Sequence, residues 1–168
     1  MRRLFKWALD TEKEHNLHIL KDVQLFKGLN RKLLRKLLID LVEKEYEAGE
    51  IIFSEGDVGK ALYVILDGSV KIVKKTDSGE KVLAVLGPGS YFGELALINQ
   101  SPRFASAITE EKANLLIMYK SYFDNLIKGN SAISSRVLLN LVSSLSNYIG
   151  KEHPVDEDAE EAEYQPGG

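Results

Sequence analysis

The chain has 168 residues, a formal net charge of -3 and no cysteine. That length suits one domain of ~100–150 residues with appendages. The missing cysteine excludes a disulfide framework, a thiol nucleophile, a thiolate zinc site and an iron–sulfur cluster, and leaves a reducing cytoplasm as the simple expectation.

Met1–Asp10 sets Arg2, Arg3 and Lys6 among Leu4, Phe5 and Trp7. It has no long apolar stretch, so it is not read as a signal peptide. A helix that docks Trp7 on the domain is expected ahead of a membrane-surface helix. His15 and His18 meet only if their segment is helical, where i and i+3 are neighbours. Exposed helix residues, rather than a two-histidine metal site, are expected there. Residues 1–19 are assigned to an N-terminal helical extension. Gly28-Leu29-Asn30 stops the first helical stretch and supplies an N-cap, Asn30. Leu33, Leu34, Leu37, Leu38, Leu41 and Val42 then recur at helical spacing, opposite Arg31, Lys32, Arg35 and Lys36, which predicts an amphipathic helix over Arg31–Val42.

From Tyr46 the pattern changes to short apolar runs split by turn residues. Strands are predicted at Ile51–Ser54, Ala61–Leu66, Ser69–Lys74, Lys81–Leu86, Arg103–Ile108 and Asn114–Tyr119. Asp77-Ser78-Gly79 is a hairpin signal. Many short strands at this spacing suggest a sandwich or jelly roll. Helix returns at Ser121, with Tyr122, Phe123, Leu126 and Ile127 on one short piece and Ser131–Ile149 on a longer one. Within the longer helix Leu138, Leu141, Leu145 and Tyr148 are spaced as on a coiled-coil seam. Packing on the chain's own body and pairing with a second helix both suit that face. Residues 151–168 carry seven acids against one lysine, so a disordered acidic tail is expected. Such a tail would repel nucleic-acid phosphates. No apolar run approaches the ~20 residues of a membrane span.

The chemically informative stretch is Ser90–Ala107. Leu95–Ile98 suits a single helical turn, and Gly93 lets the main chain approach a ligand closely. Free N–H groups at Gly93, Glu94 and Leu95 would open that turn toward an anion. Pro102 stops the helix, and period-2 alternation then puts Arg103, Ala105 and Ala107 on one face. Arginine offers a planar fork to a phosphate, with two alanines leaving room beside it. Glu94 cannot hold a phosphate, but it can accept from a sugar hydroxyl and can steady Arg103. Two readings of these residues stand. One is a pocket for a ligand with one phosphate charge and a ribose. The other is a Glu94–Arg103 ion pair closing a loop, with Gly93 serving a turn.

Phe92-Gly93-Glu94-Leu95-Ala96-Leu97, followed by Pro102-Arg103 and Ala105, resembles the phosphate-binding cassette of the cyclic nucleotide-binding domain family. Gly49, Gly56-Asp57, Tyr63, Gly68 and Gly89 fall where that family has its barrel glycines and strand residues, and the resemblance covers roughly Leu20–Ile149. It implies an α+β fold: a β-barrel of double-stranded jelly-roll type, with flanking N-terminal helices and C-terminal hinge and lid helices. The domain is placed at 20–150. The resemblance implies cAMP or cGMP as ligand, no cofactor and no metal. Arg103 would pair with the cyclic phosphate and Glu94 with the ribose 2′-hydroxyl. The N–H groups of Gly93, Leu95 and Ala105 would complete the cradle beside Phe92. Ile72, Leu83 and Leu86 would wall the base, and Asn147 and Tyr148 would come near it from the lid. One position departs from the pattern. The residue after the arginine is usually small, and here it is Phe104. Turned outward, that ring costs the site only a neutral hydrogen bond of about 0.5–1.5 kcal/mol. Turned inward, it would fill the pocket.

These residues imply a non-catalytic, cytoplasmic sensor that acts through another protein or through a homodimer at the C-terminal helix. The rival reading is a degenerate domain that keeps the fold as a protein-interaction scaffold and binds no nucleotide. Enzyme chemistry has little support, because the central serines lack a partner histidine and Glu94 lacks a second carboxylate. A metal-binding barrel of the cupin type would want histidines in its strands, and there are none.

Overall fold

The described residues form eight strands, most of them short apolar runs bounded by turn residues: β1 Val42–Tyr46, β2 Ile51–Phe53, β3 Ala61–Asp67, β4 Val70–Thr76, β5 Gly79–Leu86, β6 Tyr91–Phe92, β7 Ser106–Thr109 and β8 Ala113–Tyr119. The structure, a computed structural model, describes residues 13–98, 101–129 and 132–152, with 147–152 as backbone. Two antiparallel four-stranded sheets result, in the orders β1-β8-β3-β6 and β2-β7-β4-β5. Sequence-distant strands lie side by side, as in a jelly roll. Among the described residues no strand pairing closes the two sheets into a complete barrel.

The first sheet is covered on both faces, which explains the nearly continuous apolar runs of β3 and β8. Alternation sends Leu62, Val64, Leu66, Leu116 and Met118 toward a core shared with the helices. Ile65, Ala113 and Leu115, with Tyr46 and Phe92 of the same sheet, share a second core with Val70 and Ala107 of the other sheet. The molecule therefore has two hydrophobic cores, one between the sheets and one under the helices.

The helical layer comprises α1 over residues 13–22, a 3-10 turn at Gln24–Phe26, α2 Arg31–Ile39, α3 Leu95–Ile98, α4 Lys120–Lys128 and α5 Ala132–Glu152. The Asn30 cap forms as expected, its side-chain oxygen accepting from the Leu33 N–H at 3.0 Å. Leu17 and Leu20 of α1 pack in one core with Leu34, Leu37, Ile133, Val137 and Leu141. A boundary between residues 19 and 20 would therefore cut through α1. Asn140 of α5 donates to the carbonyls of Leu25 and Lys27, both at 2.9 Å, and Glu14 accepts from Arg31 and Arg35.

Several expectations are corrected. The helix expected to reach Val42 stops at Ile39, because Val42 begins β1, paired antiparallel with Ile117 of β8. The β1 sequence Val-Glu-Lys-Glu-Tyr buries only Tyr46, so cross-strand pairing rather than an apolar run makes it a strand. The strand expected from Arg103 starts at Ser106, and β6 was not anticipated. Helix α5 continues to Glu152, two residues into the range assigned to the acidic tail. Trp7, with the rest of residues 1–12, and the tail from residue 153 lie outside the described residues.

The phenol of Tyr122 on α4 is influenced by the Asp40 carboxylate beyond α2. Burial first, and then that carboxylate, push the phenol up to about 12. An unfolded tyrosine ionises near pH ~10. Above that pH the unfolded state has lost a proton that the folded state keeps, so stability is lost as pH rises toward about 12. Thermal melts across alkaline pH should show a shallower loss for Tyr122→Phe than for the native chain; equal slopes would refute this role.

Candidate functional site

The site begins where β6 ends. Phe92 and Tyr91 pair with Tyr63 and Val64 of β3, and the chain then turns at Gly93 with φ of 78°. That left-handed backbone favours glycine, and crowding reinforces the choice. A Cβ on Gly93 would lie 2.7 Å from Arg103 Nη1 and 3.2 Å from the Ala61 carbonyl oxygen. The single turn α3 is closed by Ala96 N–H donating to Gly93 O at 3.2 Å and Leu97 N–H to Glu94 O at 2.9 Å. The N–H groups of Gly93, Glu94 and Leu95 precede those bonds. The Leu95 side chain is exposed, so only its main chain belongs to the candidate site.

Arg103 lies across this turn. Its Nη1 donates to the Gly93 carbonyl at 3.1 Å and its Nη2 to the Ala61 carbonyl at 2.7 Å. The guanidinium carbon sits 3.9 Å from the Phe53 ring centroid and 5.9 Å from that of Tyr63. Nε is buried without a hydrogen-bond partner. Burial draws the guanidinium pKa down from its usual value, opposed by Tyr63, Glu94 and Asp57. The main chain here is fixed as well, since Arg103 N–H donates to Asp57 O at 2.7 Å and Gly56 N–H to Arg103 O at 2.9 Å.

Three aromatic rings floor the arginine. Tyr63 and Phe92 stack with centroids 5.2 Å apart, and Phe53 tilts against them at 5.7 and 5.9 Å. Sequence reasoning selected Phe92 but missed Phe53, and it placed Tyr63 only as a strand residue. The available signal was an aromatic residue at the end of each of two strands; that the ends converge depends on pairing between distant segments.

The other expected residues divide. Ala105 and Ala107 are buried, Ala107 within β7 and Ala105 in the bend before it. Ile72, paired with Ala107, and Leu86 pack against the core between the sheets. Leu83 does not join that core: it is 42% exposed and sits at the β5 bulge opposite Ile72 and Val73. Glu94 is only 7% exposed. It forms no ion pair with Arg103, whose terminal nitrogens are held by the two carbonyls instead, so the loop-closing pair is not made. Phe104 points outward, 64% exposed, with the Lys74 ammonium 3.2 Å from its ring centroid. Asn147 and Tyr148 lie on α5, but their side chains are outside the described residues.

The site touches the helical layer at two points. Leu97 of α3 is buried in the helical core, and its carbonyl accepts from Lys120 Nζ at 3.0 Å, itself paired with Asp124 at 2.9 Å. The Tyr91 hydroxyl bonds Ser144 Oγ of α5 at 2.8 Å. Two open hollows of about 550 and 680 Å³ lie elsewhere, beside α1 and α2. The Arg31 and Arg35 there are already paired with Glu14. Among the described residues no group of three or more His, Cys, Asp or Glu side chains is placed to hold a metal. No helix of the described residues is long and apolar enough to cross a membrane.

The family described as "Cyclic nucleotide-binding domain" matches residues 43–130. The chain is 36% identical over 110 residues to the cyclic AMP receptor protein of Thermus thermophilus, covering 65% of this chain and 51% of that protein. It is 33% identical over 122 residues to the cAMP-dependent protein kinase regulatory subunit of Mycosarcoma maydis, covering 70% of this chain and 23% of that protein. The chain thus spans about half the length of the first relative and a quarter of the second. The regulatory domain of Toxoplasma gondii PKA, crystallised with cAMP, superposes with a TM-score of 0.67 at 31% identity, over 87% of this chain and 53% of that one.

Gly93→Ala tests the geometry directly. The left-handed backbone alone costs about 1–2 kcal/mol, before Arg103 is displaced. Urea denaturation should show at least that loss; unchanged stability would contradict the turn described.

Proposed function

Because the chain belongs to the cyclic nucleotide-binding domain family, we propose that it binds a cyclic nucleotide, cAMP or cGMP, and passes occupancy to its C-terminal helices without catalysing a reaction. The observation that carries this reading is the Arg103 guanidinium, half-buried beside Gly93, with Nε unsatisfied and its other nitrogens held only by neutral carbonyls. A buried donor without a partner is costly, and a charge-assisted bond to a phosphate is stronger than one to a peptide carbonyl. Arg103 therefore exchanges the Ala61 carbonyl for the cyclic phosphate when ligand arrives. The N–H groups of Gly93, Leu95 and Ala105 complete the cradle. Glu94, unpaired with Arg103, is left to accept the ribose 2′-hydroxyl. Ile72 and Leu86 wall the base.

Two routes join this event to the helices: Leu97, which belongs to the helical core, and the Tyr91–Ser144 bond to α5. A ligand that repositions α3 thereby shifts the balance of α5 arrangements. The partner on this reading is another protein or a second copy, and the acidic tail argues against nucleic acid. Leu141 and Leu145 pack inward, so they are not offered as a seam. Among the described side chains of α5, Leu138, Leu139 and Val142 are large apolar residues left exposed. The place of action is the cytoplasm. The scaffold reading loses its main argument, because the Phe104 ring stands outside the cradle.

Calorimetry should show cAMP or cGMP binding to the native chain. With two charge-assisted bonds at stake, Arg103→Ala should weaken it roughly 100-fold or more. Arg103→Lys should rescue little, because lysine keeps the charge without the fork. No binding of either nucleotide to the native chain would establish the scaffold instead. Hydrogen exchange of Ala132–Glu152 should change on binding, and unchanged protection at saturation would contradict transmission through α5.

A further inference from the structure

Phe104 is an exposed aromatic ring next to Arg103, and an apolar ring in water gains by burial. It lies in a bend between Pro102 and Ser106 rather than in a ladder-bonded strand, so sheet pairing does not dictate its direction. The exposed ring instead meets Lys74 of β4. The Lys74 ammonium sits 3.2 Å from the ring centroid and donates to the Phe104 carbonyl at 3.2 Å. Glu55 steadies that ammonium at 3.9 Å, and its other carboxylate oxygen accepts from the Lys75 N–H at 2.9 Å. The Glu55 N–H in turn bonds Ser106 Oγ at 2.9 Å, so the latch grips both sides of the bend.

The geometry points to Lys74 as a positioning residue that keeps the nucleotide site open, by pinning the Phe104 ring to the outer surface. This rests on the proposed nucleotide binding. Cation and ring attract through the ring's quadrupole, and the carbonyl bond fixes the peptide that carries the ring. With the cation removed, hydrophobic burial favours turning the ring toward Ile72 and the Arg103 cradle, where it occupies ligand space. The apparent affinity then falls by the fraction of molecules left open. Lys74 need not touch the ligand.

The test is a double-mutant cycle on the full chain, read by calorimetry with cAMP and cGMP. Lys74→Met keeps the apolar stem and removes the charge. It should weaken binding roughly three- to tenfold, whereas Lys74→Arg should retain native affinity. In a Phe104→Ala background Lys74→Met should have no effect, because no ring remains to obstruct the site. An equal loss in that background would overturn the proposal, since Lys74 would then act by its charge alone. Full native affinity in Lys74→Met would overturn it too. A second readout needs no ligand. With 4-fluorophenylalanine incorporated and the Phe104 resonance identified by its loss in Phe104→Leu, the fluorine signal should report solvent exposure in the native chain and burial in Lys74→Met. An exposed ring in both would sink the latch, even if the native chain bound no nucleotide and the proposed function had failed separately.

Discussion

The site depends on one half-buried cation that forms no direct ion pair. Arg103 keeps its charge between two sheets by donating to the Gly93 and Ala61 carbonyls and by resting on Phe53. Burying a charge is expensive, and peptide carbonyls with an aromatic face recover only part of the lost hydration. The unsatisfied Nε is the remainder. On the proposed reading, a guanidinium with a donor to spare and no carboxylate bonded to it is ready for an anion. Gly93 serves that state twice: its positive φ opens the turn, and its missing side chain leaves room for the guanidinium.

The second constraint is the position of the cassette between two cores. Phe92 belongs to the core between the sheets, and Leu97, five residues on, belongs to the helical core. Interiors are close-packed, so a shift of this segment on one side is felt on the other. Lys120 and Tyr91 add directional bonds from the same segment to α4 and α5. The N-terminal helices are part of this arrangement too, because Asn140 and Tyr122 tie α5 and α4 to them.

The sequence made the local features legible and left the long-range ones hidden. Gly93 and the short α3 turn follow from backbone rules over a few residues, whereas Phe104 and Ala105 lie in a bend whose side-chain directions no ladder fixes. The Asn30 cap and the turn-bounded strands were readable for the same reason. By contrast, the partners of Arg103 lie far along the chain, Ala61 being 42 positions away, and no local pattern places them. The Lys74 contact spans 30 positions and was equally invisible. Strand β1 was missed because its three charged residues carry no alternating apolar signal; pairing with β8 supplies the order. The expected Glu94–Arg103 pair failed because carbonyl oxygens reached the guanidinium first.

The central claim is that Arg103 trades neutral carbonyls for an anionic phosphate, and its Nε–H is the atom that reports it. Nitrogen-15 NMR of the arginine side chains, followed through a titration with cAMP and with cGMP, observes that group directly. The account predicts that the Arg103 Nε–H resonance moves to a strongly hydrogen-bonded position as one of the nucleotides saturates the site. A resonance that stays in place at saturation would contradict it.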